Sequence, residues 1–160
     1  MLKTKIQTVL FSLVLVLLSG CTIAQTVTPA PAGTKIEKIY VQQNRNVHMD
    51  GLHEELLQQL RGLGIEAVSF EGTRPPEAVH MLSYTANWRW DMAMYLTYFQ
   101  ASLLEEGRVL GRAEYNATMG GARPDKFGKT AEKIRPLLID LLQNVQRGTG
   151  SAAELGTATR

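Results

Sequence analysis

The chain has 160 residues, 44% hydrophobic and 20% charged, with 17 basic against 15 acidic side chains and one cysteine, Cys21. A single cysteine excludes an internal disulfide, and so small a charge excess gives no general footprint for nucleic acid. The length suits one domain with a core of its own. The chain opens on Lys3 and Lys5, then runs apolar from Val9 to Leu18. As a helix that run covers about 15 Å, half of the roughly 30 Å of a bilayer core. It has the form of a secretory h-region, not of a membrane span.

Leu18-Ser19-Gly20-Cys21 follows directly. The tetrapeptide resembles the lipobox of bacterial lipoproteins. That resemblance implies a diacylglyceryl thioether on Cys21, cleavage that removes residues 1–20, and acylation of the new amino terminus. Two or more chains make such an anchor effectively permanent, where one is marginal. Cleavage also removes Lys3 and Lys5 and leaves 15 basic against 15 acidic residues. With Cys21 consumed, a cysteine-based metal or redox centre is excluded. Thr22, in place of an Asp, is similar to the outer-membrane default of enteric-type sorting.

Residues 22–33 are rich in Thr, Pro and Ala and show no apolar period, so 21–33 reads as a lipidated cysteine and flexible tether. One domain is expected over 34–147, followed by a polar disordered tail over 148–160. Ile36, Ile39, Tyr40 and Val41 mark a first strand. Asp50 suits an N-cap, and Leu52, Leu56, Leu60 and Leu63 repeat at helical spacing before Gly64. Ile65 to Phe70 reads as a strand, closed by Gly72-Thr73-Arg74-Pro75-Pro76. From His80 to Trp88 apolar and polar residues alternate, as in a strand with one covered face. Trp88-Arg89-Trp90-Asp91 reads as a turn into a strand from Met92 to Leu104. Glu105-Glu106-Gly107 turns the chain again, and Arg108 to Ala117 returns. Thr130 is expected to cap a last helix with the stripe Ala131, Ile134, Leu138, Leu141 and Val145. The order β-α-β-β-β-β-α predicts an α+β two-layer sandwich, a mainly antiparallel sheet with two helices on one face.

The run Tyr84-Thr85-Ala86-Asn87-Trp88-Arg89-Trp90-Asp91, continued by Met92-Ala93-Met94-Tyr95, resembles a signature of small Gram-negative bacterial lipoproteins to which no activity is attached. Met119-Gly120-Gly121-Ala122 and Thr130-Ala131-Glu132-Lys133-Ile134-Arg135-Pro136-Leu137 are similar to the same group. The resemblance implies an envelope location and carries no catalytic residue with it.

Gly128-Lys129-Thr130 has the end of a phosphate-binding loop but not its start, because Arg123 stands where the pattern needs glycine. No nucleotide or other cofactor is expected. His48, Asp50 and His53 lack the i, i+4 spacing of a helical metal pair, so no metal is expected. His80 shares a side with Leu82 and Tyr84 and reads as a rim histidine. Glu54-Glu55 and Glu105-Glu106 read as a helix face and a hairpin tip. No Gly-x-Ser-x-Gly elbow is present, and the chain is not expected to be an enzyme. Asn87, Trp88, Arg89, Trp90 and Asp91 remain as the candidate partner-binding residues, since Trp and Arg dominate interface hot spots and indoles stack on sugars. The expected function is that of a non-catalytic outer-membrane lipoprotein whose periplasmic domain binds an envelope protein or polymer. A purely structural envelope component and a cell-wall hydrolase are the alternatives.

Overall fold

The computed structural model describes residues 23–119 and 123–147. The lipobox, Cys21, Thr22, the Gly120-Gly121 segment and residues 148–160 lie outside the described residues. The fold is α+β, with a mainly antiparallel six-stranded sheet and two helices. In chain order the elements are β1 (Ala24–Thr28), β2 (Lys35–Ile36), β3 (Lys38–Gln42), α1 (Leu52–Gly62), β4 (Glu66–Phe70), β5 (His80–Asp91), β6 (Ala93–Glu105), β7 (Arg108–Asn116), a 3₁₀ turn (Pro124–Lys126), α2 (Thr130–Leu141) and β8 (Gln146–Arg147). The large sheet runs β1-β7-β6-β5-β3-β4. Its pairs are antiparallel except for β3, which lies parallel to both β4 and β5. β2 and β8 form a separate short parallel pair.

The alternation read from His80 to Trp88 places Leu82, Tyr84 and Ala86 in the core, with Leu103, Ala101 and Phe99 as their cross-strand partners. Register then shifts beside Asn87 and Trp88, so that Trp88 faces Leu96 and Thr97 becomes the extra residue. The bulge moves Leu96 into the core, where strict alternation from Phe99 would have put Thr97. The buried Thr97 hydroxyl donates to the Asn87 carbonyl at 2.9 Å, which satisfies it inside the sheet. Both helices pack over this apolar face. Leu52, Leu56, Leu57 and Leu60 of α1, and Ile134, Leu137, Leu138 and Leu141 of α2, are buried. The helices meet each other through Arg135, whose Nη1 donates to the Gln59 Oε1 at 2.9 Å.

The expected tether contains an element that its composition hid. Ala24 to Thr28 pairs along the outer edge of β7, with Val27 opposite Ala113. The segment carries one half-buried apolar side chain, Val27, packed against the core, and backbone pairing to β7 does most of the rest. Gly111 makes the close approach possible. A Cβ there would stand 2.8 Å from the Thr28 carbonyl oxygen, 2.8 Å from Leu141 Cδ1 and 2.9 Å from the Ala30 nitrogen.

Three local expectations are corrected. The chain does not turn at Trp88–Asp91. β5 continues through Asp91, and Met92, with φ 61°, makes the reversal alone. Asp50 does not cap α1. Gly51 holds that position with φ 81°, a left-handed conformation open to glycine, and no side chain caps the helix. Thr130 is the first residue of α2 rather than its cap, which is Lys129. The Glu105 hairpin is as expected, with Glu106 and Gly107 both at positive φ, the pattern of a type I′ turn. α2 also runs through Pro136, which lies on its exposed face.

Candidate functional site

The five residues singled out from sequence separate into two groups. Asn87 and Trp88 sit where β5 leaves the core. Trp88 is half-buried against the core, and its Nε1 donates to Thr130 Oγ1 at 3.4 Å. The hydroxyl expected to cap α2 therefore serves the indole. Arg89, Trp90 and Asp91 lie beyond the core, and Trp90 is 72% exposed. Among the described residues Asp91 pairs with Lys126, not with Arg89 or the turn. Its Oδ2 meets Lys126 Nζ at 2.5 Å. The Lys126 side chain is buried to 4% exposure, and its ammonium stands 5.0 Å from the ring centroids of both Tyr95 and Phe127. The pair is half wet, since Asp91 is open to solvent, so it pins the β5–β6 tip to the 3₁₀ turn without stranding a charge.

Two shallow hollows lie side by side at this end of the sheet, and Trp88 lines the smaller. One, about 220 Å³, is lined by Asn46, His48, Met49, Ala86, Asn87, Trp88 and Met94. The other, about 350 Å³, is lined by Met49, Asp50, Gly51, Leu52, Glu55, Lys129, Thr130 and Ala131. They share Met49 and together form a groove between the β3–α1 loop, the end of β5 and the start of α2. The glycine at the α1 cap, with φ 81°, turns that loop into the helix. Sequence reasoning missed Asn46, Met49 and Met94. The spacing Trp88, Trp90, Met92, Met94 was a readable signal, because it keeps one side of the hairpin apolar across the reversal.

The histidines are deployed separately. His48 is exposed and lines the smaller hollow. His53 Nδ1 stands 3.1 Å from Tyr84 Oη and its Nε2 2.6 Å from Ser69 Oγ, so both ring nitrogens are engaged. Neither nitrogen is left for a metal in this arrangement. The sequence held no local motif that foretold a serine beside a histidine. Tertiary packing brings Ser69 of β4 to His53 of α1. A phenol rather than a carboxylate stands behind the ring, and a phenol does not stabilise an imidazolium as an aspartate does. The trio instead ties α1 to β4 and β5. His80 lies at the rim, with Nε2 3.2 Å from Glu105 Oε1.

Burial holds the His53 pKa below its ordinary value, and the nearby Glu54 and Glu71 charges oppose this only partly. The unfolded chain therefore takes up a proton at His53 before the folded one does. Stability tied to this group is complete above the unfolded value of about 6.5 and is lost as pH falls from there through the folded pKa. The midpoint of urea unfolding is expected to drop as pH falls below about 6.5. The His53→Gln variant should show a smaller drop over that range. An equal drop in both proteins would contradict the assignment.

Deeper in the core, the Tyr115 hydroxyl is buried without a hydrogen-bond partner among the described residues. Burial raises its pKa and lowers that of Lys133, whose Nζ lies 5.4 Å from the Tyr115 ring. Both shifts favour the neutral forms, as a desolvated pair of groups requires.

These features define a small α+β domain with a groove at one sheet end. No family model matches the chain, and no curated protein matches it. The fold is similar to solved structures of the PelC dodecamer from Paraburkholderia phytofirmans. One, a single-substitution variant, superposes with a TM-score of 0.52 at 16% identity, over 79% of this chain and 99% of that one. A second crystal form gives a TM-score of 0.52 at 15% identity over the same shares. At that identity the likeness is one of fold.

Proposed function

We propose that this chain is a non-catalytic, lipid-anchored protein of the outer membrane whose domain faces the periplasm and binds a glycan chain of the envelope in the groove beside Trp88. The observation that carries the reading is the composition of that groove. A half-buried indole is flanked by the Asn46 and Asn87 amides and by an exposed His48. An indole face suits the C–H face of a sugar ring, and amide and imidazole groups offer both donors and acceptors to hydroxyls. The Leu18-Ser19-Gly20-Cys21 sequence supports the anchor. The phenol, rather than a carboxylate, behind the His53 ring supports a non-catalytic role.

The double variant Asn87→Ala/His48→Ala is expected to bind cell-wall glycan oligomers about tenfold more weakly than the parent, roughly 1.4 kcal/mol. Isothermal titration reads this directly. Parent-like affinity in the double variant would remove the groove from the proposal. Glycan-independent capture of one envelope protein would assign it to a protein partner instead. Cys21→Ser should leave an unprocessed or soluble chain on fractionation.

A second reading, that copies of this chain assemble with one another, is favoured by the dodecameric state of the PelC structures that share its fold. Sedimentation velocity of the lipidated protein in detergent separates a monomer from such an assembly.

A further inference from the structure

We propose that the β5–β6 tip is a membrane-seating surface: Trp90 and Met92 enter the headgroup region of the same bilayer that holds the Cys21 lipid, and so fix how the domain stands on the membrane. The inference rests on the lipid-anchor reading above and adds an orientation to it.

Ala24 of β1 pairs with Asn116 of β7, Asn116 with Tyr98 of β6, and Tyr98 with Asn87 of β5. These four residues form one row across the sheet. β1 runs away from that row, so the chain before Ala24 leaves the domain at this end. Cys21 is three residues earlier, a reach of at most about 10 Å. An acyl group on Cys21 would lie within that reach of the row.

The β5–β6 hairpin projects past the row at the same end. Met92 lies five residues beyond Asn87, up to about 17 Å along an extended strand. It is 87% exposed, Trp90 72% and Met94 55%. Met119, three residues past Asn116, is 74% exposed. Phe127 joins them through its edge contact with Tyr95 at 5.6 Å. Of the eight large hydrophobic side chains exposed among the described residues, five lie on this hairpin or in the segments next to its end of the sheet, whereas Val79 and Val109 lie toward the other end. A short tether and an apolar tip that reaches farther than the tether together favour the bilayer as the occupant. Trp is suited to the membrane–water boundary, where its ring is buried and its N–H stays wet. Exposed Arg89 stands beside it to meet lipid phosphates. The Lys126–Asp91 pair holds the tip in place. The groove beside Trp88 would then open just above the membrane surface.

Trp88 and Trp90 are the only tryptophans, so Trp88→Phe leaves Trp90 as the sole reporter. The lipidated full-length mature protein carrying Trp88→Phe is reconstituted into phosphatidylethanolamine–phosphatidylglycerol vesicles with or without brominated acyl chains. Trp90 emission is expected to shift to the blue on reconstitution and to fall at least twofold in brominated vesicles. Should Trp88→Phe fail to fold, Trp90→Phe in the native background must abolish the quenching seen in the parent. Unquenched Trp90 in a protein that floats with the vesicles and carries an acylated Cys21 would overturn the seating while leaving the anchor intact. A Cys21 without acyl mass would overturn the anchor and the seating together. A blue shift that grows with protein concentration and ignores bromine would assign the tip to a second copy and also overturn the proposal.

Discussion

Gly111→Ala is expected to lower the melting temperature by about 8 °C. The added methyl would stand 2.8 Å from a backbone oxygen and 2.9 Å from a backbone nitrogen, and neither can move without shifting the segment from Thr28 to Ala30. Leu141 could rotate its Cδ1 away, but only into a core already filled by α2 and β7. Over-packing of this kind costs about 2 kcal/mol, and in a domain of this size each kcal/mol shifts the midpoint by a few degrees. Gly128→Ala serves as the control. Its Cβ would meet only Lys133 Cε at 3.5 Å, an ordinary contact. That variant should stay within about 0.5 kcal/mol of the parent. Parent-like melting of Gly111→Ala would mean that β1 and Ala30 do not lie against β7, and the edge strand would be lost from the account.

The second large effect separates two neighbouring indoles. Trp88→Ala removes a side chain packed on the core and leaves the Thr130 hydroxyl without its donor. The expected cost is about 3 kcal/mol, at the lower end of the range for buried aromatic truncations because Trp88 is only half-buried. Trp90→Ala removes a side chain that is 72% exposed and should change stability by less than about 0.5 kcal/mol. Thermal unfolding of the two variants therefore differs by roughly ten degrees. Equal losses in both would put Trp90 in the core and leave the tip without a surface role.

What the sequence made legible follows from side-chain burial. The leucine stripe of α1, the apolar stripe of α2 and the alternation of β5 are all written in residues that must leave water, so their positions and their common face could be read. β1 could not be read in this way. Ala24-Gln25-Thr26-Val27-Thr28 buries almost nothing and is chosen by the free hydrogen-bonding edge of β7, a feature that exists only after the sheet has formed. The bulge at Thr97 and the glycine cap at Gly51 are likewise set by neighbours far away in the chain. At the site, the tryptophans were legible as residues of interest, but their division was not. Alternation from Trp88 to Met94 contained it, yet an assumed turn at Trp88–Asp91 concealed that the strand goes on past the end of the core. Lys126 gave no signal at all, because its burial depends on Tyr95, Phe127 and Asp91 converging from two separate segments.

The central claim is that the groove beside Trp88 receives an envelope glycan. Its most direct test is a titration of the isotopically labelled full-length mature protein, in detergent, with cell-wall glycan oligomers, followed by amide resonances. The account predicts saturable shifts confined to Asn46–Leu52, Glu55, Ala86–Trp88, Met94 and Lys129–Ala131, the residues and segments that line the two hollows. Shifts that saturate elsewhere on the domain, or no shifts at millimolar oligomer, would contradict it.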